Sequence, residues 1–225
     1  MANGFGNGDE LKPPGTPLGP GEIIASNEYS LTALIEAWGG EAVNLGIAPD
    51  DPDAIAARIK GAEGVDVFVP VGGASVGDHD HMKTVFATLG FTPLFAKVAV
   101  RPGKPTWLSR RAAHLVLGLP GNPASALVCA HLFLRPLIHH MLGLETHTAQ
   151  VRARLSEGVT ANGARESFLR GRLSQSESGE RLVSVAENQD SSLLSPFVTA
   201  NVLVQRHINA PACAAGDEVT CIRLD

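Results

Sequence analysis

The chain has 225 residues, 44% of them hydrophobic, which suffices for one large domain or a medium one with a small companion, each with a buried core. Its 18 basic and 23 acidic residues leave a net charge of −5, which argues against nucleic acid and anionic membranes as partners and leaves any anion site to local placement. No apolar run reaches the length of a membrane span and the first residues lack the pattern of a signal peptide, so the expectation is a cytoplasmic protein.

In chain order, MANGFGNGDELK is glycine-rich without periodicity, and residues 12–21 hold enough Pro and Gly to predict an extended or turning loop. Ser26 and Asn27 can cap a helix in which Leu31, Leu34, Ile35 and Trp38 recur at helical spacing, with Gly39 and Gly40 as its stop. Residues 41–47 are a short strand candidate. Asp51 as N-cap and Pro52 at the first helical position open a second helix with Ile55 and Ile59 on its buried face.

The stretch VDVFVPVGGASVGDHDHMK predicts a buried strand over 65–70, a tight polar loop, and a helix from about His79 with Met82, Val85, Phe86 and Leu89 on one side. This alternation implies right-handed crossovers and a mostly parallel sheet covered on both faces, a three-layer α/β domain. From Phe91 the period becomes two, with strands near 94–100, 105–108 and 114–119, the first two joined by a turn containing Pro102 and Gly103. Asn122-Pro123 opens a long apolar helix with Pro136 as a kink and Gly143 as its stop. After Glu145 five short alternating runs, VRARL, SFLRGRL, RLVSV, ANVLVQR and EVTCIRL, predict a small all-β barrel or sandwich. Two domains are therefore expected, 1–146 and 147–225.

Two loops share one design. Gly72, Gly73, Ala74 and Ser75 follow one buried strand, and Gly121, Asn122 and Ser125 follow another and enter a helix. Both offer backbone N–H groups and a hydroxyl at strand C-terminal ends, where open α/β sheets keep their ligands. A single loop of this kind is usually only structural. Between them lie Lys97, Arg101 and Lys104, the first two expected on one face of an alternating segment. Solvated surface charge is the plain alternative, but three cations flanked by two anion-friendly loops in an acidic chain point to binding. The acids Glu10, Asp50, Asp51, Asp78 and Asp80 fall in loops or at helix starts. Asp51 reads as a cap, whereas Asp80 lies a helical turn beyond the glycines; acids beside bound phosphate suit Mg²⁺.

Asp78, His79, Asp80 and His81 resemble a transition-metal cluster, yet four consecutive residues reach one ion poorly. His131 is expected in the core, and His139 and His140 near a helix C-terminus. Ser75 and Ser125 lack a base paired by motif, which disfavours nucleophilic hydrolysis. Cys129, Cys213 and Cys221 form no C-x-x-C; Cys129 is expected as a small buried hydrophobe, and spacing alone leaves open whether Cys213 and Cys221 lie on neighbouring strands.

GDEL at Gly8, NLGIAPDDP at Asn44, GGASVGDHD at Gly72, KVAVRPGKP at Lys97 and GLPGNPASAL at Gly118 stand together in the order found in MoeA-type molybdopterin molybdenumtransferases, and RESFLRGRL and SSLLSPFVTANVLV resemble that family's final β domain. The resemblance implies a MogA-like molybdopterin-binding α/β domain followed by a β-barrel. It implies adenylylated molybdopterin and molybdate as substrates, Mg²⁺ as the divalent ion, release of AMP, a homodimer, and a molybdopterin adenylyltransferase as a possible partner. Catalytic and metal roles would carry over to Glu10, Asp50 and Asp80, and substrate binding to Gly72, Gly73, Ser75, Lys97, Arg101, Lys104, Gly121, Asn122 and Ser125. Arg101 stands where many members have Lys.

The family carries two further domains upstream, and MANGFGN stands where the first strand of the α/β domain belongs. The expectation is a C-terminal fragment without that strand, one that binds ligand without necessarily turning it over. A pterin or nucleotide binding module and a MogA-like adenylyltransferase remain as alternatives; the β domain argues against the latter.

Overall fold

A computed structural model describes residues 1–8, 10–72, 81–145 and 150–225. It corrects the expectation of a missing strand at MANGFGN, because Ala2–Asn7 is itself a strand of the sheet (β1). Ala2 and Phe5 are both buried and belong to different cores, one on each face of the sheet. Gly4 and Gly6 fall on the face of Ala2, so no hydrophobic period is visible in the sequence. At Gly6 a side chain would run into the carboxylate of Glu28, so glycine is needed at that position because a helix lies close against the strand.

Leu11–Lys12 (β2) and Ile23–Ile24 (β3) pair in parallel and frame the intervening loop. Asn27–Ala37 (α1) buries Leu31 and Ile35 against the sheet and leads to Ala42–Ala48 (β4). Pro52–Gly61 (α2) begins as the sequence predicts, with the Asp51 carboxylate accepting from the Asp53 amide at 3.0 Å. Asp51→Ala should cost about 1 kcal/mol in urea denaturation, the usual worth of an N-cap. Val67–Val71 (β5) is buried at every residue, as a strand covered on both faces must be. His81–Thr88 (α3) turns Met82, Val85 and Phe86 inward.

Thr92–Phe95 (β6), Trp107–Arg111 (β8) and His114–Gly118 (β9) complete the sheet in the order β4-β1-β5-β9-β8-β6, parallel through β9 and antiparallel beyond it. The strand expected over 94–100 is not continuous. Val100–Arg101 (β7) leaves this sheet and pairs instead with the C-terminal half of the chain. The reason is burial: Val100 joins a core with Phe168, Leu203 and Ile222, which lie far along the sequence. Lys97 and Arg101 therefore do not alternate along one strand.

Pro123–Cys129 (α4) continues through a π-helical turn, Ala130–Leu134, into Arg135–Met141 (α5). The irregularity expected at Pro136 is this wider turn, which sits just ahead of a residue with no N–H to give. His131 lies in it, buried, edge-on to Trp38 at 5.2 Å with its Nδ1 unpartnered. Burial, reinforced by the Arg135 charge, pushes its pKa down to about 4. A lowered imidazole pKa stabilises the fold above the unfolded value and loses that contribution as pH falls. Between pH 8 and pH 5 the chain should lose about 2 kcal/mol from this residue, and His131→Phe should remove that part of the acid sensitivity in denaturation curves.

Gln150–Leu155 (β10), Glu166–Gln175 (β11), Arg181–Val185 (β12), Val202–Arg206 (β13) and Glu218–Arg223 (β14) are the five runs read from the sequence. They close into a barrel, β12-β10-β14-β13-β11 with β11 returning to β12, around Val183, Val202, Val204, Val219 and Cys221. A short helix, Ser195–Thr199 (α6), precedes β13, and β7 adds to the barrel beside β11. The domain boundary set at 146 and 147 lies outside the described residues. Cys129 is fully buried, its thiol pushed up to about 12 by burial, and Cys213 bridges to Val159 rather than lying in a strand beside Cys221. Among the described residues no helix is long and apolar enough to cross a membrane.

Candidate functional site

The C-terminal ends of β1, β5 and β9 meet at one edge of the sheet. The Gly72 amide donates to the Leu119 carbonyl at 3.2 Å, and a Cβ on Gly121 would stand 3.3 Å from the Gly72 Cα. The two glycine loops thus touch, which only a residue without a side chain at 121 permits without displacement. Asn27 at the start of α1 donates to the Gly121 carbonyl at 2.8 Å, and tethers that loop from the other side.

The entry to α4 is held from the barrel. Ser191 accepts from the Asn122 side chain through its hydroxyl at 2.8 Å and from the Ala124 amide through its carbonyl at 3.0 Å. One of the helix's first-turn donors is therefore already engaged, and Pro123 has none. Ser125, 5% exposed, remains to face the cleft with hydroxyl and amide.

Two contiguous recesses share Ser125 and Pro105. The smaller, about 600 Å³, lies over the sheet edge with Glu10, Glu28, Gly72, Gly121 and Asn122 on its walls. The larger, about 1020 Å³, runs between the 101–105 turn and the barrel, with Arg101, Lys104, Arg165 and Arg206 as well as Glu157, Glu187 and Asp190 on its walls. Together they have the size of a cleft for a nucleotide-sized ligand.

The turn carrying the cations is built tightly. Thr106, fully buried, donates from both its amide (3.0 Å) and its hydroxyl (2.8 Å) to the Gly103 carbonyl, and the Val98 amide donates to Lys104 at 3.1 Å. Gly103 has φ +119°, and a Cβ there would fall on the Cys129 sulfur. The backbone of Arg101 and Lys104 is thus fixed, while their side chains remain exposed and able to meet a ligand.

Of the residues read from the sequence, Glu10, Gly72, Gly121, Asn122 and Ser125 come together in the smaller recess, and Arg101, Lys104 and Ser125 in the larger. Lys97 is exposed and lines neither. Asp50 lines neither, but it follows β4 just as Glu10 follows β1, and Asn7 and Ala48, at the ends of those strands, are paired in register. Gly73, Ser75 and Asp80 lie outside the described residues, as do Asp78 and His79. Among the described residues no three His, Cys, Asp or Glu side chains converge as a metal cage. Mg²⁺ does not require one: carboxylates such as those following β1 and β4, together with water and phosphate oxygens, are the donor types it takes.

Sequence reasoning missed Glu28, Arg165, Arg170, Ser191 and Arg206. Glu28 is buried and accepts from the Gly6 amide at 3.1 Å; burial raises its pKa, against the pull of Asn44, Gly6 and Arg58. Arg170 and Arg206 left a readable trace, each a charge two residues after a buried apolar residue, Phe168 and Val204, in an alternating strand and hence on the same side.

Residues 7–140 match the family model described as a probable molybdopterin binding domain, and residues 152–224 match that of the MoeA C-terminal region (domain IV). Fold and cleft thus define a molybdopterin-binding α/β domain joined to a β-barrel. The molybdopterin molybdenumtransferases of Nostoc and Haemophilus influenzae are each 32% identical, over 98% and 95% of this chain and 52% and 53% of their own lengths. A crystal structure of a molybdopterin biosynthesis MoeA protein from Pyrococcus horikoshii superposes with TM-score 0.83 at 30% identity, over 100% of this chain and 54% of that one. The chain belongs to the MoeA family of molybdopterin molybdenumtransferases, and it spans about half the length of these relatives.

Proposed function

We propose that this chain binds adenylylated molybdopterin in the joined recesses and forms the substrate-holding half of a molybdenumtransferase. The single observation carrying this reading is the continuity of the cleft, from the glycine loops at the sheet edge to the exposed Arg101 and Lys104 under the barrel. The pyrophosphate link lies near these two cations, the amide and hydroxyl of Ser125 complete its surroundings, and the adenylyl and pterin ends extend into the two recesses. Bound Mg²⁺, held by Glu10 and Asp50, would neutralise the pyrophosphate and ease departure of AMP. The protein residues orient the link, offset its charge and keep water from its apolar neighbours; molybdate enters as the second substrate.

Calorimetry with adenylylated molybdopterin tests the binding, which should be saturable and one to one. Chromatography of AMP after addition of molybdate and Mg²⁺ tests turnover, which we expect only from a protein of the relatives' full length. Full AMP release by this chain alone would overturn that division. Homodimerisation, and delivery of the substrate by a molybdopterin adenylyltransferase, belong to the same proposal. The stand-alone adenylyltransferase alternative is not favoured, because the barrel contributes so much of the cleft wall.

A further inference from the structure

The two recesses are contiguous, yet one stretch of the barrel crosses between them. Gln189, Asp190 and Ser191 face the larger and Ser192 the smaller, and Ser191 touches the entry of α4 through Asn122 and Ala124. This strap has no helix or strand of its own. It is held by Arg170 of β11, which is 1% exposed.

Arg170 donates through Nη1 to the Leu193 carbonyl at 2.9 Å, through Nη2 to the carbonyls of Asp190 at 3.1 Å and Asn188 at 3.5 Å, and through Nε to the Gln189 side chain at 3.2 Å. Gln189 returns the contact, accepting from the Arg170 amide and donating to its carbonyl, both at 3.0 Å. The ring of Phe197 lies 5.7 Å below the guanidinium. A buried guanidinium with carbonyls of three strap residues as acceptors does more than fill space, since a planar fork of fixed donors specifies where each acceptor stands.

We propose that Arg170 is a positioning residue for the cleft: it anchors the strap of residues 188–193 and thereby sets Ser191 against the start of α4, without touching ligand itself. The consequence for ligand rests on the binding reading above; the anchoring does not, and the two are tested separately. Arg170→Lys keeps the charge but loses the fork. Amide hydrogen exchange in the ligand-free chain should then accelerate about tenfold or more at Ala124, whose partner is Ser191, with the amides of β10 and β14 unchanged, since local opening is distinct from global unfolding.

If Ala124 stays protected, or if all barrel amides accelerate together, the proposal is overturned. Gln189→Ala, which weakens the strap's side of the same contact, should accelerate Ala124 by a smaller factor and serves if the lysine variant fails to fold. With adenylylated molybdopterin as the probe, Arg170→Lys and Ser191→Ala should each weaken binding, and the double variant no more than the worse single one, because both act through one strap. Additive losses would overturn the coupling. Absence of binding in the unaltered chain would overturn the functional reading and leave the exchange result to decide the strap.

Discussion

Changing Arg101 and Lys104 to alanine together is expected to weaken binding of adenylylated molybdopterin about a hundredfold or more at low salt. A hydrogen bond to a charged group is worth about 1.5–3 kcal/mol, so each cation accounts for about tenfold or more by itself. The two flank one rigid turn and share one ligand, so their losses will not simply add. Both side chains are exposed, and removing them leaves the Thr106 and Gly103 contacts intact, so the melting temperature should stay close to that of the unaltered chain.

Salt provides a second measurement. Because the cations are exposed, added salt should erode the affinity of the unaltered chain, and the double variant should respond less. Arg101→Lys should bind nearly as well, since it keeps the charge on the same fixed backbone. Lys97→Ala is the contrasting case: its side chain lines neither recess, so the loss should be smaller than for Lys104→Ala. Calorimetry showing undiminished affinity in the double variant would remove these two residues from the site.

What the sequence made legible followed from local rules. The cap at Asp51, the stop at Gly39 and Gly40, and the five barrel strands depend on residues near one another in the chain, and they were read correctly. The glycines and cations stood out as residue types close in sequence, and Gly72, Gly121, Arg101 and Lys104 do line the two recesses. What escaped depends on distant partners. Strand β1 shows no hydrophobic period because two of its positions are glycine, and at Gly6 the reason is a distant one, the Glu28 carboxylate of α1 lying where a side chain would stand. Strand β7 is drawn out of the α/β sheet by barrel residues more than sixty positions later. The strap residue Ser191 sits in a polar loop with nothing to distinguish it from a surface turn, until Arg170 and Asn122 are seen on either side of it.

Gly103→Ala should be the most damaging small substitution in the cleft, at about 2–6 kcal/mol of stability. Two effects combine. A residue with a side chain at φ +119° carries strain of about 1–3 kcal/mol, and the new methyl falls on the Cys129 sulfur, an overpacking that adds about 1–3 kcal/mol. Cys129 cannot yield, because it is fully buried in α4 with its Sγ 3.1 Å from the Thr106 hydroxyl oxygen. Cys129→Ala in the same chain removes the collision but not the strain. The double variant should therefore be less destabilised than the sum of the two singles, by about 1–2 kcal/mol, and urea denaturation of the four proteins gives that coupling directly. Strict additivity would mean that the turn moves away from α4 instead of pressing on it. Ligand affinity separates the two outcomes further: a turn that moves carries Arg101 and Lys104 with it and loses binding even where the fold survives, whereas a turn held in place at the cost of strain keeps its cations over the cleft.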